Sequence, residues 1–168
     1  MARVIRQTVD LSGYPDLVAI YLGMQVYSPK GLTRLARLGP AIRRVHRVDK
    51  PDGLLAHEDF VFAQWPLHVA FRQYWRDFDS LEAWTRTLPH QKWWREFLAD
   101  PGGTGFWHEA YSVRGGIDSV FDDMRRPPGL LAFAPNVHAH GPLFSSRGRL
   151  RGEASKVAPV YVEAALPE

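Results

Sequence analysis

A strand, helix, strand, strand, helix, strand succession between residues 17 and 113 predicts an α+β fold of the split βαβ, ferredoxin-like plan, an antiparallel sheet with its helices packed on one face. Three observations carry that expectation: one long run that is apolar on both faces, two stripes of helical spacing, and two strand-like segments separated only by a turn. The 168 residues suit one ordinary domain, which can bury about 70% of its unfolded surface without disulfides or a structural metal.

Residues 17–27, LVAIYLGMQVY, form the first strand, bracketed by Pro15 and Pro29. Val18, Ile20, Leu22, Met24 and Val26 share one face, while Ala19, Tyr21 and Gly23 keep the other apolar, so both faces need a cover. A helix follows over 31–48, because Leu32, Leu35, Leu38, Ile42 and Val45 recur every three or four residues. Pro40 is expected to kink it, and Asp49-Lys50-Pro51-Asp52-Gly53 to end it. Residues 54–63 and 67–75 read as a hairpin turning at Gln64-Trp65-Pro66. Asp79 is expected to cap the next helix, with Glu82 three residues on and Leu81, Trp84 and Leu88 as its stripe. Pro89 restarts the chain into a helix over 90–99, where His90, Trp93, Trp94 and Phe97 line one side. The last strand of the plan spans 105–113. Beyond it, paired glycines, paired prolines and a basic Ser/Arg/Gly stretch read as irregular, with 157–165 able to add one strand. The expected organisation is a ferredoxin-like domain over 1–131 and an irregular C-terminal arm over 132–168.

Composition removes several classes of function. With no cysteine there is no disulfide framework, thiolate nucleophile, Cys-bound zinc or iron–sulfur cluster. The apolar run at 17–27 is about half the roughly 20 residues of a membrane helix, and the basic N-terminus lacks a signal-peptide apolar core, so no membrane partner and a cytoplasmic location are expected. The net charge of +3 is concentrated on the first helix at Lys30, Arg34, Arg37, Arg43, Arg44 and Arg47. No aromatic single-strand-binding pattern or zinc finger accompanies it, so it reads as a solvated face and no nucleic-acid partner is expected. His138 and His140 lack a third ligand at recognisable spacing in what reads as a loop, so no metal is expected. Gly102-Gly103-Thr104-Gly105 leaves a helix and enters a strand, the reverse of a phosphate loop, and no Gly-x-Ser-x-Gly elbow occurs.

Chemistry must then come from histidines, carboxylates and phenols. His90 sits on the aromatic stripe of its helix, so its imidazole points into the domain as a haem axial ligand, an acid/base group, or a core histidine bonded to a carbonyl. His108 and Glu109 are adjacent on a strand and therefore face opposite sides of the sheet. Trp107, Glu109 and Tyr111 share a face, where Glu109 either pairs with an arginine such as Arg72 or sits partly desolvated. On the preceding strand His68, Arg72 and Tyr74 share one face, and Phe71, Gln73 and Trp75 the other. Polar groups can thus converge with aromatic walls on a small planar ligand.

Arg72-Gln73-Tyr74-Trp75, then Asp79-Ser80-Leu81-Glu82-Ala83-Trp84, Pro89-His90 with Trp94 and Phe97, and Gly105-Phe106-Trp107-His108-Glu109-Ala110-Tyr111 form a series. Over residues 17–131 it resembles the small monooxygenase-like family, long catalogued as a domain of unknown function, whose fungal relatives occur in polyketide–terpenoid pathways such as fumagillin formation. That family is similar to antibiotic-biosynthesis-type monooxygenases, which are dimeric α+β barrels, and more distantly to haem-containing aldoxime dehydratases. In this chain His57-Glu58-Asp59 is unusually polar for the second strand, and 114–126 and the tail from Val137 depart from the family pattern. The resemblance implies a homodimer of ferredoxin-like subunits and a monooxygenase-type oxidoreductase of secondary metabolism acting on an apolar or aromatic small molecule. His108, Glu109, Arg72 and Tyr74 become the candidate catalytic residues, Trp75, Trp94, Trp107 and Tyr111 the candidate substrate walls, and His90 the residue for a haem if a cofactor is used at all. The alternatives are a haem enzyme of aldoxime-dehydratase type and a non-catalytic small-molecule binder of the same fold.

Overall fold

The computed structural model describes residues 5–114, 117, 119, 121–122, 129–144 and 146–149. In chain order the elements are β1 (Arg6–Val9), β2 (Val18–Val26), α1 (Pro29–Arg47), β3 (Leu54–Ala63), β4 (His68–Trp75), α2 (Phe78–Thr85), α3 (Leu88–Ala99), β5 (Thr104–Ser112), β6 (Phe121–Asp122), β7 (Asn136–His138) and the single turn α4 (Ser146–Arg149). Two compact units result: residues 16–112 hold β2 to β5 with α1, α2 and α3, and residues 1–15 with 113–168 hold the remainder.

In the larger unit the sheet order is β3-β4-β2-β5 with every neighbour antiparallel, which is the ferredoxin-like arrangement expected. Register sets Tyr21 opposite both Arg72 and Glu109, and Leu22 opposite His108. Alternation then assigns Leu22, Phe71, Gln73, His57 and His108 to the helix-covered face, and Tyr21, Arg72, Tyr74, Glu58, Glu109 and Trp107 to the open face. Gly23 is small for a reason: a Cβ there would lie 2.7 Å from the Trp107 indole nitrogen, which crosses over it towards His68.

Local chemistry explains the helix ends. Ser28 caps α1 by accepting from the Gly31 N–H, Pro29 opens its first turn, and Arg44, His46 and Arg47 stand in the last turn, where the dipole favours positive charge. The helix continues through Pro40. Asp77, not Asp79, caps α2 by accepting from the Ser80 N–H at 2.7 Å; Asp79 sits one position inside the helix, favourable for the dipole but unable to cap. α3 begins two residues earlier than periodicity indicated, with Pro89 in its first turn. Val18, Ile20, Leu54, Trp75 and Leu81 form the buried core, with Leu22 and Trp84 packed against it.

The smaller unit is a sheet ordered β6-β1-β7. The segment holding His138, expected as a loop, pairs as a strand with β1, and Tyr14 packs edge-on against Phe133. The strand anticipated at 157–165 lies outside the described residues. No described helix is long and apolar enough to cross a membrane.

Candidate functional site

Between the helix-covered face of the sheet and the helices of the larger unit lies a cavity of about 840 Å³. Its walls are mostly apolar and aromatic, including Leu22, Phe71, Trp84, Trp93, Phe97 and Phe106; His46, Gln73 and His90 are among the polar groups that reach it, and charged residues such as Arg34, Arg37, Glu96 and Asp100 also line it. A large apolar space with a few placed polar groups is the ordinary form of a small-molecule site.

The buried end is organised by one amide. The Trp75 indole N–H donates to Gln73 Oε1 at 3.1 Å, and because an indole can only donate, the amide orientation is settled. Gln73 Nε2 then donates to His46 Nε2 at 3.0 Å and to His57 Nδ1 at 3.1 Å. Both accepting nitrogens must be unprotonated, which puts the His57 proton on Nε2, facing Asp59 Oδ1 at 3.3 Å, and the His46 proton on Nδ1. The two imidazoles stack with centroids 4.5 Å apart. Asp59 is held from outside by Arg43 and Arg47, at 3.3 and 3.6 Å. His46 Nδ1 is buried and makes no hydrogen bond of ordinary geometry, although the Ile42 carbonyl one turn earlier favours its protonated form.

His90 is arranged in the opposite sense. Its Nδ1 lies 2.9 Å from the Thr85 carbonyl oxygen, which can only accept, so Nδ1 carries the proton and Nε2 presents a lone pair. Among the described residues that Nε2 has no hydrogen-bond partner. Burial lowers the pKa of His90, so the imidazole is neutral at neutral pH.

Burial also brings His46 down from 6.5 to about 4, with the neighbouring His57 adding to the effect. The folded chain therefore binds fewer protons than the unfolded chain between those pH values, and stability that is complete above 6.5 is lost as pH falls towards 4. The expected loss is roughly 3 kcal/mol from His46 alone. His57 and His90, lowered chiefly by burial, contribute in the same direction. Chemical denaturation as a function of pH checks this: the slope between pH 6.5 and 4 should become shallower in His46→Gln, and an unchanged slope would locate the titration elsewhere.

The open face carries a second polar cluster. Arg72 binds Glu58 at 2.7 Å, donates to the Tyr21 hydroxyl at 3.4 Å, and lies over the Tyr21 and Tyr74 rings. Burial opposes its charge, but the bonds to Tyr21 and Glu58 outweigh that and raise its pKa. Burial pushes the Tyr74 phenol up to about 12, so it stays neutral beside Arg72. Glu109 accepts from the Tyr111 hydroxyl, and the Trp107 indole donates to His68 Nε2 at 2.7 Å.

The predicted site residues thus divide between the two faces. His90 and Trp94 line the cavity, whereas Arg72, Tyr74, Trp107, Glu109 and Tyr111 lie on the open face. His108 is on the cavity's face of the sheet but exposed, beside Phe106 and outside the cavity lining. Trp75 is fully buried and serves the cavity through Gln73. The carboxylate partner of Arg72 is Glu58, directly opposite it, and not Glu109. His46, His57 and Gln73 were not singled out from the sequence, although Gln73 between Phe71 and Trp75 and the polar His57-Glu58-Asp59 were both visible there. Among the described residues no three His, Asp or Glu side chains are grouped to hold a metal ion.

Fold and cavity together define a ferredoxin-like α+β protein with a pocket between its sheet and its helices. The family model for Monooxygenase af470-like proteins matches residues 17–130, and the chain belongs to that family. A general oxidoreductase-like function goes with that membership. No curated protein matches the chain. Among solved structures it is similar to an aldoxime dehydratase, OxdRE, crystallised with butyraldoxime, at 23% identity and TM-score 0.58 over 87% of this chain and 42% of that one. A second aldoxime dehydratase aligns at 19% identity and TM-score 0.53 over 82% and 39% of the two chains. SnoaB, a cofactor-independent oxygenase from Streptomyces nogalater, aligns at 13% identity and TM-score 0.45 over 61% and 97%. At these identities the likeness to solved structures is one of fold.

Proposed function

We propose that the chain is a monooxygenase-type oxidoreductase of secondary metabolism that binds an apolar or aromatic small molecule in the cavity between sheet and helices. The observation that carries this reading is the neutral His90, anchored through Nδ1 by the Thr85 carbonyl and bordering an aromatic-walled space with an uncommitted Nε2. Such an imidazole takes the proton of a phenol or enol. The rings of Trp84, Trp93 and Phe97 exclude water and offer planes for the substrate to pack against. The electron-rich anion then reacts with dioxygen, as the family resemblance implies, without a bound cofactor. Arg72 and Tyr74 stay a second candidate pair for orienting a phenol or enol oxygen, on the open face, with Glu109 beside them and His108 across the sheet. The test is oxygen uptake by the pure protein over a panel of polycyclic phenols and aldoximes. Tight binding of these compounds with no turnover of any would leave a non-catalytic binder of the same fold.

The same histidine supports a second reading, a haem enzyme. A ligating imidazole usually donates from its other nitrogen to a carbonyl or carboxylate that fixes the ring, and His90 does so to the Thr85 carbonyl, beside a cavity. His90 would hold the iron and the aromatic walls the macrocycle, and the haem would supply redox or Lewis-acid chemistry at the iron. Reconstitution with hemin should then give a Soret band that His90→Ala abolishes. No band, or one unchanged in that variant, refutes haem ligation by His90.

A second copy of the chain is proposed to cover the open face of the sheet, where Phe62 and Tyr111 are 54% and 50% exposed. Sedimentation at micromolar concentration should show twice the 19.1 kDa subunit mass, and a clean monomer refutes the dimer.

A further inference from the structure

We infer that the substrate is an elongated apolar or aromatic acid, with its anionic group bound by Arg34, assisted by Arg37, towards one end of the cavity and its reacting group beside His90 at the other. This inference rests on the cavity being the substrate site.

Two helices running in opposite directions give the cavity its length. Lys30, in the first turn of α1, binds the Asp100 carboxylate at 2.8 Å, and Asp100 is the residue that ends α3. At the other end His46, in the last turn of α1, and His90, in the first turn of α3, both meet the Trp84 ring edge-on. At about 1.5 Å of rise per residue, Asp100 lies about 15 Å along the helix axis from His90, and Arg34 about 18 Å from His46. Between these ends the lining is largely apolar, with Leu35, Leu38, Trp93 and Phe97 among it.

The charges that line the cavity do not cancel. Four are cations, Lys30, Arg34, Arg37 and Lys92, and two are carboxylates, Glu96 and Asp100. Each carboxylate already has a lysine, since Asp100 binds Lys30 at 2.8 Å and Glu96 faces Lys92 at 3.9 Å. Arg34 acts on the Asp100 carboxylate only through space and forms no salt bridge among the described residues. Arg37 has neither a salt bridge nor a hydrogen bond among them.

An arginine on a helix surface is ordinarily just solvated, but Arg34 is held in place. It is half-buried, and its Nη1 donates to the Asp100 backbone carbonyl. The side chain lies across Gly102, where a Cβ would come within 2.8 Å of Nη1 and 3.0 Å of Cδ. A guanidinium has five N–H groups, and only one is engaged by the protein. Because the fork is already oriented, binding an anion costs it little side-chain freedom. Arg37 follows at i+3, so the two guanidiniums are neighbours on one face of α1. A carboxylate, planar with two accepting oxygens, matches such a donor set.

The bond to Asp100 also ties α1 to the end of α3, so the test must separate recognition from a structural role. The probes are 1-pyrenebutyrate, whose tail ends in a carboxylate, and 1-pyrenebutanol, of nearly the same shape and uncharged, both followed by pyrene fluorescence. Wild type should bind the acid about tenfold more tightly than the alcohol, as expected for a charge-assisted contact at a half-buried site. In Arg34→Gln the amide can still donate to the Asp100 carbonyl while the charge is gone. That variant should lose most of the preference for the acid and bind the alcohol as wild type does. Arg37→Gln, at an exposed position, should keep the wild-type thermal midpoint and lose about twofold to fourfold in affinity for the acid alone. Acetate, which has the charge without the apolar body, should not compete with the acid. Equal binding of the two probes by wild type overturns the inference while leaving the cavity as a binding site. So does a preference that survives in Arg34→Gln, a parallel loss of both probes in that variant, or competition by acetate, which would mean a surface anion patch. If Arg34→Gln does not fold, an affinity for the acid unchanged in Arg37→Gln overturns it. Failure of both probes to bind wild type overturns the cavity reading, and the inference with it.

Discussion

Replacing His90 with alanine is expected to lower turnover of a phenol substrate by about 10²- to 10⁴-fold, the usual contribution of a positioned general base. Among the described residues, the substitution removes the one cavity-lining imidazole whose lone pair is uncommitted, while the bond it breaks to the Thr85 carbonyl lies at the start of a helix already held by its own backbone. Folding should survive, and binding of an aromatic probe in the cavity should change little. Because burial holds His90 below its ordinary pKa of 6.5, kcat/KM in the wild type should rise as pH increases through that lowered value and then level off. Steady-state oxygen uptake across pH, for wild type and variant, measures both. A variant within tenfold of wild type would remove His90 from the chemistry.

Gln73→Met should be the most destabilising conservative change in the larger unit. The side chain is 3% exposed and serves three partners at once: it accepts from Trp75 and donates to His46 and His57. Methionine fills a similar volume and satisfies none of them well. Leaving buried groups unsatisfied costs about 1–3 kcal/mol each, and the two histidines can partly rearrange, so the expected loss is about 3–5 kcal/mol. For a chain of this size that corresponds to a fall in thermal midpoint of roughly 10 °C or more. The unfolded fraction would be read by urea titration. A loss under about 1 kcal/mol would mean that the Trp75–Gln73–histidine network does not persist in solution.

Order and facing of the elements were legible in the linear sequence. Hydrophobic spacing is a local property, so β2, the β3–β4 hairpin, α1 and β5 could be placed within two residues, and alternation along β5 separated His108 from Glu109 before any pairing was known. The stripe shared by His90, Trp94 and Phe97 likewise led to the cavity, because a helix in this fold has only one side to bury.

What could not be read depended on which strands lie side by side. Arg72 and Glu109 both align with Tyr21, but β2 runs between their strands, leaving them two strand spacings, about 10 Å, apart. Glu58, which looked out of place in a strand, stands directly opposite Arg72 and binds it. His57 and Asp59, on the other face of the same segment, meet His46 and Gln73 only because α1 packs over that edge of the sheet. β1 was invisible for a similar reason. Four residues have no periodicity of their own, and their partners stand more than a hundred positions away. Local spacing assigns a side chain to a face, but a hydrogen bond requires an atom within about 3 Å, and distance on that scale is set by long-range register and helix docking.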